Sequence, residues 1–581
     1  MIMQDSFEDE EYKQTFWHSS AHILAAALKK LYGDDILLGT GPAIKNGFYY
    51  DIYLKKGKID QKNIADIERE FIKLSSQNDA FIKKHVTKTE AMAIFQDNPL
   101  KQEIIQGLDN QDISLYSNGS FVDLCKGPHL SHSGVIKAVK ILNISGAFWR
   151  GDETKHQMTR VYAISFPTQK MLDDYLNMLE ESKKRDHVKI ATQLQFFCFS
   201  QKVGLGLPLW LPRGTIFRNI LENFLREEQL KREYKHVITP HIGNINLYKT
   251  SGHYDKYGED AFKAIKTPNE NEEYMLKPMN CPHHCEIYRS EPRSYRDLPL
   301  RLAEFGTVYR YEKHGELNGI LRSRCFTQDD AHIFCRKEDV EREISDIIDL
   351  IKCIFNKLGF DKLKARLSLH DAKNFSKYIG SQEDWLTAEK ALEIVATKND
   401  LTIEKAYGEA AFYGPKLDFI VCDALSRSWQ LGTIQLDYQL PARFELVYTN
   451  EKNEKERPVM IHRAPLGSIE RITAILLEHT NGRLPVWLAP EQARILTVSN
   501  DVLDYANSVL NKLREKGVRV YLDNRNETLG RKILDANHMQ IPHLIIIGAK
   551  EKQENVLSVR HGWKQNNERM MLEDLIILLF K

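Results

Sequence analysis

Histidine and cysteine side chains recur in the first quarter of the chain at spacings that could form one site. His18 and His22 stand four residues apart in a stretch of helical periodicity, so both side chains leave one face of a helix. Asp123 and Cys125 alternate along an apparent strand and share one side of it, and a Lys-Gly-Pro turn leads on to His129. Imidazole and thiolate are preferred zinc ligands, so residue type alone predicts a zinc site here. The alternative is a buried cluster with a structural role.

A second concentration of metal-binding side chains lies near the middle of the chain. Residues 281–285 read Cys-Pro-His-His-Cys, which is dense in ligand types. A proline and two adjacent histidines make it difficult for so short a run to close a tetrahedral site by itself. From the residues alone, a local site and a site shared with distant histidines both remain open.

Charged residues that could bind a phosphate lie in residues 302–332, which have the pattern of two strands joined by a loop. Arg310 and Glu312 lie on one strand face, because side chains repeat every second residue along a strand. Arg322 returns to the same region after the loop. Because a guanidinium binds a phosphate in a bidentate manner, these residues are candidates for holding a nucleotide. The alternative is a surface hairpin with solvated charges.

The common nucleotide-binding signatures do not occur in the sequence. We find neither a G-x-x-x-x-G-K phosphate loop nor a G-x-G-x-x-G dinucleotide fingerprint. Instead, His462 lies on a predicted strand, Gly467 and Ser468 form a turn, and Arg471 falls in the first turns of the following helix. A nucleotide would therefore have to be held by arginines on strands and at a helix start.

Length and composition limit the class of protein. A chain of 581 residues exceeds one hydrophobic core and predicts roughly three or four domains. The formal net charge is +1, so any nucleic-acid-binding surface must be local. The eight cysteines are irregularly spaced, the N-terminal segment is acidic, and all apolar runs are short. These features predict a cytoplasmic protein with reduced cysteines, no secretion signal and no membrane span.

The helices and strands that position these residues can be predicted from the spacing of apolar residues along the chain. Helical periodicity over residues 15–31 and a strand-like composition over 47–53 indicate an α+β domain over residues 1–165. One charged amphipathic pattern predicts a linker helix within residues 166–192. A long helix over residues 215–233 opens the next domain, 193–488, and alternating strands and helices predict a small α/β domain over 489–581.

Three motifs in order give the chain a specific resemblance. They are the helix over residues 215–233 with a strand ending at Pro240, the Arg310-x-Glu312 segment with its loop, and the Gly-Ser-Ile-Glu-Arg run that ends at Arg471. Together they resemble motifs 1, 2 and 3 of the class II aminoacyl-tRNA synthetases. The match narrows to the threonyl-tRNA synthetases through Met-Asn-Cys-Pro at 279–282, Thr-Gln-Asp-Asp-Ala-His at 327–332, Leu-Gly-Thr-Ile-Gln-Leu-Asp at 431–437 and Met-Ile-His-Arg-Ala at 460–464.

The resemblance covers essentially the whole chain and implies its architecture. We expect an α+β and α/β multidomain fold with an N-terminal α+β editing domain over residues 1–165 and a linker helix over 166–192. The class II antiparallel-sheet catalytic core would span 193–488, and an α/β anticodon-binding domain would span 489–581. Many family members begin with a small ubiquitin-like domain, whereas this chain begins directly at the next one.

The resemblance also implies a distributed metal site. Cys281, His332 and His462 would hold one zinc ion per subunit and leave a coordination position open for substrate. Threonine and valine are near-isosteres, and a metal that binds both the amino group and the hydroxyl of threonine rejects valine. In the family the position after Pro282 is often glycine, and here it is His283.

Substrate-binding residues follow from the same resemblance. Arg310 and Arg471 are expected to be catalytic, because they neutralise charge on the phosphates of ATP while Mg²⁺ assists. The expected ATP-binding set is Arg310, Glu312, Arg322, Phe326, Gln430 and Arg471. The expected amino-acid-binding set is Met279, Gln328, Asp330, Tyr413 and Gln435.

Serine calls for a second site, because the absence of one methyl group gives only about 1–3 kcal/mol of discrimination. The N-terminal residues resemble the editing domain shared with alanyl-tRNA synthetase, and would hydrolyse seryl-tRNA. The expected editing set is His18, His22, Lys101, Asp123, Cys125 and His129. Residue type indicates zinc in this cluster, whereas the resemblance implies a metal-free pocket, and we follow the resemblance.

The remaining expectations concern partners and alternatives. The resemblance implies that Asn526, Glu551 and Arg560 read anticodon bases, and that the first motif forms a homodimer. The expected activity is ligation of threonine to threonine tRNA with ATP. Two other classes stay open: an RNA-binding paralogue without catalysis, and a stand-alone deacylase with an inactive synthetase body.

Overall fold

The computed structural model describes residues 7, 9–108, 112–152, 154–269, 271–562, 564 and 566–580. It divides into two compact units, residues 1–181 and 182–581. Residues 1–6 and Glu8, on which the expected absence of a secretion signal depends, lie outside the described residues. Among the helices that are described, none combines the length and the apolar character needed to cross a membrane.

The first unit combines two antiparallel sheets with helices. Its helices are α1 (Glu10–Tyr32), α2 (Ile64–Ser75), α3 (Lys88–Ile94) and α4 (Pro99–Gln106). Its strands are β1 (Ile36–Leu38), β2 (Ala43–Ile44), β3 (Gly47–Leu54), β4 (Phe81–Thr87), β5 (Asp112–Asn118), β6 (Phe121–Leu124), β7 (Ala138–Phe148) and β8 (Gln157–Phe166). One sheet has the order β1-β3-β8-β7 with β2 paired to β3, and the other has the order β4-β5-β6.

Helix α1 carries two of the predicted site residues. Asp9 caps it by accepting a hydrogen bond from the amide of Tyr12, and acidic residues in the first turn and lysines in the last turn complement the helix dipole. Residues 19–28 are all buried, so the helix packs inside the domain on several faces. His22 is therefore held in the interior, while His18 lies one turn nearer the surface.

Two helices occupy the segment in which one linker helix is expected. They are α5 (Gln169–Lys184) and α6 (His187–Leu194). Asp186 separates them, because its backbone is extended and its side chain accepts a hydrogen bond from the amide of Lys189, which caps α6. The single helix is thus wrong. Because other charged residues surround Asp186, the sequence pattern did not indicate that it caps a helix.

The second unit is built around an eight-stranded sheet. Its further helices are α7 (Pro212–Leu230), α8 (Ile245–Ser251), α9 (His253–Tyr257), α10 (Cys281–Arg289), α11 (Val340–Leu358), α12 (Gln382–Lys398), α13 (Gln439–Arg443), α14 (Ile469–Thr480), α15 (Leu503–Glu515), α16 (Leu529–His538), α17 (Ala549–Glu554) and α18 (Leu572–Phe580). Its strands as far as residue 464 are β9 (Phe197–Cys198), β10 (Leu209–Trp210), β11 (Lys235–His236), β12 (Ile242–Asn244), β13 (Ile265–Lys266), β14 (Glu273–Leu276), β15 (Leu300–Tyr309), β16 (Cys325–Cys335), β17 (Leu363–Leu369), β18 (Ile403–Tyr407), β19 (Lys416–Cys422), β20 (Ser428–Asp437), β21 (Tyr448–Thr449), β22 (Lys455–Glu456) and β23 (Val459–Ala464). The sheet order is β11-β15-β16-β23-β20-β19-β17-β18, and only the two outermost pairs are parallel.

Three central strands of this sheet place polar residues side by side. His332 of β16 lies opposite His462 of β23, which in turn lies opposite Gln435 of β20. Gln328 and Asp330 share the face of His332, because side chains alternate along β16. The intervening apolar residues of β16 point to the opposite face, where they join the core formed with α11 and α14.

The strand–helix alternation predicted from residue 489 is confirmed. The strands are β24 (Ala493–Thr497), β25 (Val520–Asp523), β26 (His543–Ile547), β27 (Leu557–His561) and β28 (Asn567–Met570). The sheet order is β25-β24-β26-β27-β28, and the first three strands are parallel. Helices α15 and α16 connect the parallel strands, as a small α/β domain requires.

Candidate active sites

Cys281, His332 and His462 converge in the second unit. One ligand atom from each lies within 4.8 Å of the other two, and all three residues are buried. Cys281 is the first residue of α10, and the two histidines face each other across β16 and β23. A helix start and two paired strands therefore assemble a thiol and two imidazoles from residues far apart in sequence.

The hydrogen bonds of the two histidines leave one ring nitrogen of each unused. His462 Nε2 donates to Asp437 Oδ2 at 2.9 Å, and His462 Nδ1 is buried without a hydrogen-bond partner among the described residues. His332 Nδ1 lies 2.8 Å from His284 Nδ1, and His332 Nε2 is likewise buried without a hydrogen-bond partner within that part of the chain, with Asp330 Oδ1 3.8 Å away. Unpaired buried nitrogens beside a thiol fit a zinc ion with an open coordination position.

The short Cys281–Cys285 run does not form a separate cluster. Within the described residues, Cys281 is the only member of the run that joins a group able to hold a metal. Cys285 Sγ lies 4.0 Å from Met460 Sδ, and His284 Nε2 lies 3.2 Å from Glu304 Oε2.

Residues expected to bind the amino acid lie around the histidines. Asp330 Oδ1 lies 3.8 Å from His332 Nε2, and burial raises the pKa of Asp330. The ring of Tyr413 lies 5.2 Å from that of His462, measured between centroids. Gln435 is buried beside His462 and donates to a backbone carbonyl at 3.0 Å. The structure therefore brings these three expected residues to the cluster.

Arg310 lies where the chain leaves β15, which ends at Tyr309. Its Nη2 donates to Met279 Sδ at 3.0 Å, and its guanidinium lies 5.2 Å from the centroid of the Phe326 ring. Its Nε is buried with no partner among the described residues, and the same holds for Gln328 Oε1. The shared strand face expected for Arg310 and the residue two positions on is wrong, because the strand ends before both.

The loop after Arg310 gathers the other charged residues expected to bind ATP. Arg322 Nε donates to Glu312 Oε2 at 2.8 Å. Arg471 Nη1 lies 3.5 Å from the carbonyl oxygen of Leu321, and burial lowers the pKa of Arg471. Ser468 caps α14 by accepting from the amide of Arg471, which fixes the start of that side chain. Gln430 is exposed on β20.

The structure adds His253, which the sequence pattern did not single out. It is fully buried, its Nε2 lies 3.6 Å from Cys281 Sγ, and its ring lies 6.2 Å from that of Tyr413. Burial, followed by the charges of His462 and Arg310, lowers the pKa of His253 to about 3, so the imidazole is neutral. It begins the five-residue helix α9, which is too short to show periodicity.

The N-terminal cluster also converges, in the first unit. Cys125 Sγ lies 3.2 Å from His18 Nε2 and 3.2 Å from His129 Nε2. The other ring nitrogens also have partners: His18 Nδ1 lies 3.1 Å from the Pro128 carbonyl oxygen, and His129 Nδ1 lies 3.0 Å from Ser19 Oγ. Burial lowers the pKa of His18, lowers that of His129 to about 2, and raises that of the Cys125 thiol to about 11. At neutral pH these groups are uncharged.

A buried ion pair lies beside this cluster. Lys101 Nζ and Asp123 Oδ1 are 2.5 Å apart, and Tyr50 donates from its hydroxyl to Asp123 Oδ2 at 2.5 Å. The charge of Lys101 also lowers the pKa of His22, after the larger effect of burial and that of the neighbouring His18. Tyr50 was missed by the sequence reasoning, although the alternation of β3 is the signal that directs it inward. A cavity of about 930 Å³ is lined by His18, His22, Tyr50, Lys101, Asp123 and Cys125.

The three residues expected to read the anticodon do not lie at one edge of the C-terminal sheet. Asn526 follows β25, and Glu551 lies in the first turn of α17, which follows β26, so both are at the carboxyl ends of parallel strands. Arg560 pairs with Leu544 near the amino end of β26, roughly 10 Å away along the strand. Its Nε donates to Asn567 Oδ1 at 3.0 Å.

Comparison with known proteins supplies the class. Residues 262–480 match the family described as tRNA synthetase class II core domain (G, H, P, S and T). Residues 492–579 match an anticodon binding domain, and residues 113–162 match the threonyl and alanyl tRNA synthetase second additional domain. The mainly antiparallel sheet, the arginines next to its strands and these matches define a class II aminoacyl-tRNA synthetase.

Comparison with individual relatives identifies the family within this class. The threonine–tRNA ligase of Cytophaga hutchinsonii is 51% identical over 573 residues, which is 98% of this chain and 89% of the relative. That of Porphyromonas gingivalis is 54% identical over 557 residues, which is 95% of this chain and 85% of the relative. The RNA binding domain of threonyl-tRNA synthetase from Cryptosporidium parvum superposes with a TM-score of 0.65 at 41% identity, covering 68% of this chain and 98% of that one. The chain belongs to the threonine–tRNA ligase family.

Proposed function

We propose that this protein activates threonine with ATP, transfers it to the 3′ end of threonine tRNA and hydrolyses mischarged seryl-tRNA. The observation that carries the proposal is the convergence of Cys281, His332 and His462 next to Asp330. We assign editing to residues 1–165, linkage to 166–192, catalysis to 193–488 and anticodon binding to 489–581.

Threonine selection is assigned to the cluster in the second unit. Cys281, His332 and His462 would hold one zinc ion, and the ion would accept the amino group and the hydroxyl of threonine, which valine cannot both provide. Asp330 faces the same space and accepts the hydroxyl hydrogen. Met279, Gln328, Tyr413 and Gln435 complete the walls of the pocket.

Activation is assigned to the arginines around the loop. The carboxylate of threonine attacks the α-phosphate of ATP, and pyrophosphate leaves. Arg310 and Arg471 neutralise the charge that develops on the phosphates, and Glu312, Arg322, Phe326 and Gln430 position the nucleotide. Mg²⁺ bound with ATP would supply further positive charge at the phosphates. A ribose hydroxyl at the 3′ end of the tRNA then attacks the carbonyl carbon of the threonyl-adenylate and takes the acyl group, and AMP leaves.

The test is ATP–pyrophosphate exchange with threonine, serine and valine. We expect exchange with threonine, weaker exchange with serine, and almost none with valine, because valine lacks the hydroxyl. No exchange with any amino acid would contradict the proposal and favour a non-catalytic RNA-binding protein or a deacylase with an inactive synthetase body.

Arginine variants test the assignment of roles in the same assay. Arg310→Ala and Arg471→Ala should each lower threonine-dependent exchange by roughly 10²–10³-fold, because each removes a charge directed at the phosphates. Arg322→Ala should lower it less, since this side chain is largely neutralised by Glu312. Parent-like exchange in both alanine variants would refute the assignment.

Editing is assigned to the cavity in the first unit. His18 and His22 are uncharged at neutral pH, so either imidazole can accept a proton from a water molecule. The half-buried thiol of Cys125 and the Lys101–Asp123 pair hold the pocket in shape, and we propose that it acts without a metal ion. Threonine would be excluded by the volume of its extra methyl group.

Deacylation of preformed seryl-tRNA tests this second site. A double variant, His18→Ala with His22→Ala, should charge threonine at close to the parent rate and accumulate seryl-tRNA when serine is supplied. If it clears seryl-tRNA as fast as the parent, the histidines are structural. Inhibition of the parent reaction by a chelator would indicate a metal ion in the pocket.

We also propose a homodimer formed around motif 1. Ile238, which follows the edge strand β11, has 96% of its surface exposed, and Leu230 at the end of α7 is also exposed. A second copy of the chain would cover this edge. Light scattering should give twice the chain mass for the parent and the chain mass for Ile238→Lys.

All eight cysteines are free in the described residues, which supports a cytoplasmic location.

A further inference from the structure

We propose that His284 and Glu304 are positioning residues that select the tautomer of His332, so that its Nε2 is left without a hydrogen and faces the metal position. The proposal rests on the zinc site described above. Neither residue touches the substrate or the metal position, and both act through His332. They belong to α10 and β15, respectively.

The direction of the hydrogen bonds follows from the two ends of this chain of contacts. His284 Nε2 lies 3.2 Å from Glu304 Oε2, and a carboxylate can only accept, so His284 Nε2 carries a hydrogen. A zinc ion held by His332 Nε2 requires a lone pair on that atom, so the hydrogen of His332 is on Nδ1. His332 Nδ1 lies 2.8 Å from His284 Nδ1 and therefore donates to it.

The reverse arrangement is the one that would block the metal. If His284 carried its hydrogen on Nδ1, His332 Nδ1 would accept and its hydrogen would move to Nε2. That hydrogen would point into the space shared with Cys281 and His462. It would also turn a lone pair of His284 towards the Glu304 carboxylate, which is unfavourable in a buried site.

Glu304 is held as an ionised anchor. Its Oε1 accepts from the amide of Thr239 at 2.8 Å and lies 3.6 Å from Lys277 Nζ. Burial raises the pKa of Glu304, but the hydrogen bond from His284, the charge of Lys277 and the Thr239 amide outweigh it and hold the pKa at about 2. Lys277 Nζ in turn donates to Thr239 Oγ1 at 2.8 Å. The carboxylate therefore has fixed partners on both sides.

His462 has a simpler arrangement with the same result. Its Nε2 donates directly to Asp437, which leaves Nδ1 unpaired in the interior. The unpaired nitrogens of His332 and His462 are thus the two that these outer partners select. An outer hydrogen-bond partner of a metal-binding histidine is commonly worth 10–100-fold in metal affinity, which sets the size of the expected effect.

The test measures zinc affinity by competition with a chelator in the full-length chain. His284→Ala should weaken zinc binding by about 10–100-fold and raise the KM for threonine while leaving the KM for ATP unchanged. Glu304→Gln keeps size and shape but no longer dictates which nitrogen of His284 carries the hydrogen, and should weaken binding by a smaller factor. The visible spectrum of the cobalt-substituted protein should change in both variants.

His283→Ala is the matched control. His283 is the preceding residue of the same helix, is buried, and has an Nδ1 without a hydrogen-bond partner among the described residues. Its loss should leave zinc affinity and the cobalt spectrum as in the parent. Equal weakening by His283→Ala would mean that repacking of α10, rather than the tautomer of His332, governs the site.

The outcomes separate this inference from the zinc site itself. Parent-like zinc affinity in His284→Ala and in Glu304→Gln, with zinc present in the parent, overturns the positioning role alone. Absence of zinc from the parent overturns both proposals. If His284→Ala does not fold, as judged by its thermal unfolding, Glu304→Gln decides the matter, because it preserves the buried volume.

Discussion

Cys125 with its histidines and Cys281 with its histidines use the same donor types, but the surrounding hydrogen bonds differ. In the N-terminal cluster the thiol itself lies 3.2 Å from both Nε2 atoms, and both Nδ1 atoms have protein partners. In the second cluster the outer nitrogens have partners, while His332 Nε2 and His462 Nδ1 have none among the described residues. The residue types in a cluster are thus a poor guide to metal binding. A better guide is which ring nitrogens of its histidines are already used in hydrogen bonds to the protein.

The charges next to the two clusters also differ, and this difference again favours a metal ion in the second cluster only. The ammonium group of Lys101 and the carboxylate of Asp123 lie beside the N-terminal cluster as an ion pair, so they leave little net charge there to attract a cation. The carboxylates of Asp330 and Asp437 lie beside the second cluster, where they favour one. The comparison therefore predicts one metal ion per chain, and the variants below are arranged from the largest expected effect to the smallest.

Removing the thiol should have opposite consequences in the two clusters. Cys281→Ala should lose nearly all zinc and lower threonine-dependent exchange by roughly 10³-fold, because several kcal/mol of substrate interaction disappear with the ion. Cys125→Ala should retain the zinc and the exchange rate and slow deacylation of seryl-tRNA. Metal analysis and both assays on each variant decide this. Full zinc retention by Cys281→Ala would assign the metal to other ligands.

The ion pair of the first unit should be a stability element of that unit. Lys101→Met leaves Asp123 as an unpaired buried charge, and both side chains are 3% exposed. Breaking such a pair costs about 3–5 kcal/mol. Urea unfolding of the full chain should show a destabilised first transition with the exchange activity intact. A change below about 1 kcal/mol would mean that the pair is solvated and contributes as a surface pair does.

Changing Asp437, the hydrogen-bond partner of His462, should weaken zinc binding by the second cluster without removing a zinc ligand. Asp437→Asn no longer fixes which nitrogen of His462 carries the hydrogen, and should lower zinc affinity by about 10–100-fold. The first unit provides an internal control, since its deacylation rate should not change. Parent-like affinity, measured by chelator competition, would show that Asp437 serves the backbone of residues 439 and 440, which it also caps.

The pH dependence of deacylation should reveal the smallest effect. Burial lowers the pKa of His18 from 6.5, against the hydrogen bond to the Pro128 carbonyl, which raises it. As the pH falls, the neutral base therefore persists below 6.5, and the acid limb of the rate profile should have its midpoint under that value. At pH 6.5 the rate should still exceed half of its plateau. A midpoint at or above 6.5 would require a solvated histidine as the base.

Elements with a regular pattern could be predicted from the sequence. The alternation of strands and helices after residue 489 fixed the C-terminal domain, and the i, i+4 spacing of His18 and His22 placed both on one helix. The end of β15 before Arg310 and the break at Asp186 were missed, because charged residues carry little periodicity. The local sequence pattern therefore predicted the presence of helices and strands better than the residues at which they end.

The second cluster could be only half predicted. Its three ligands came from a resemblance, since nothing in the spacing of Cys281, His332 and His462 shows that they meet. Their outer partners were not predicted at all: His284 is 48 residues from His332 in sequence, and Asp437 is 25 residues from His462. Such pairings depend on the register of the sheet and on the seating of α10, which are tertiary properties.

The row of His332, His462 and Gln435 across β16, β23 and β20 has a consequence for motion. These strands lie in the middle of the eight-stranded sheet, so every backbone amide that borders the row is protected by a neighbouring strand. Amide hydrogen exchange there can proceed only through the opening of the central sheet, which approaches global unfolding in free energy. The backbone that carries His332 and His462 is thus held in place for as long as the central sheet stays closed.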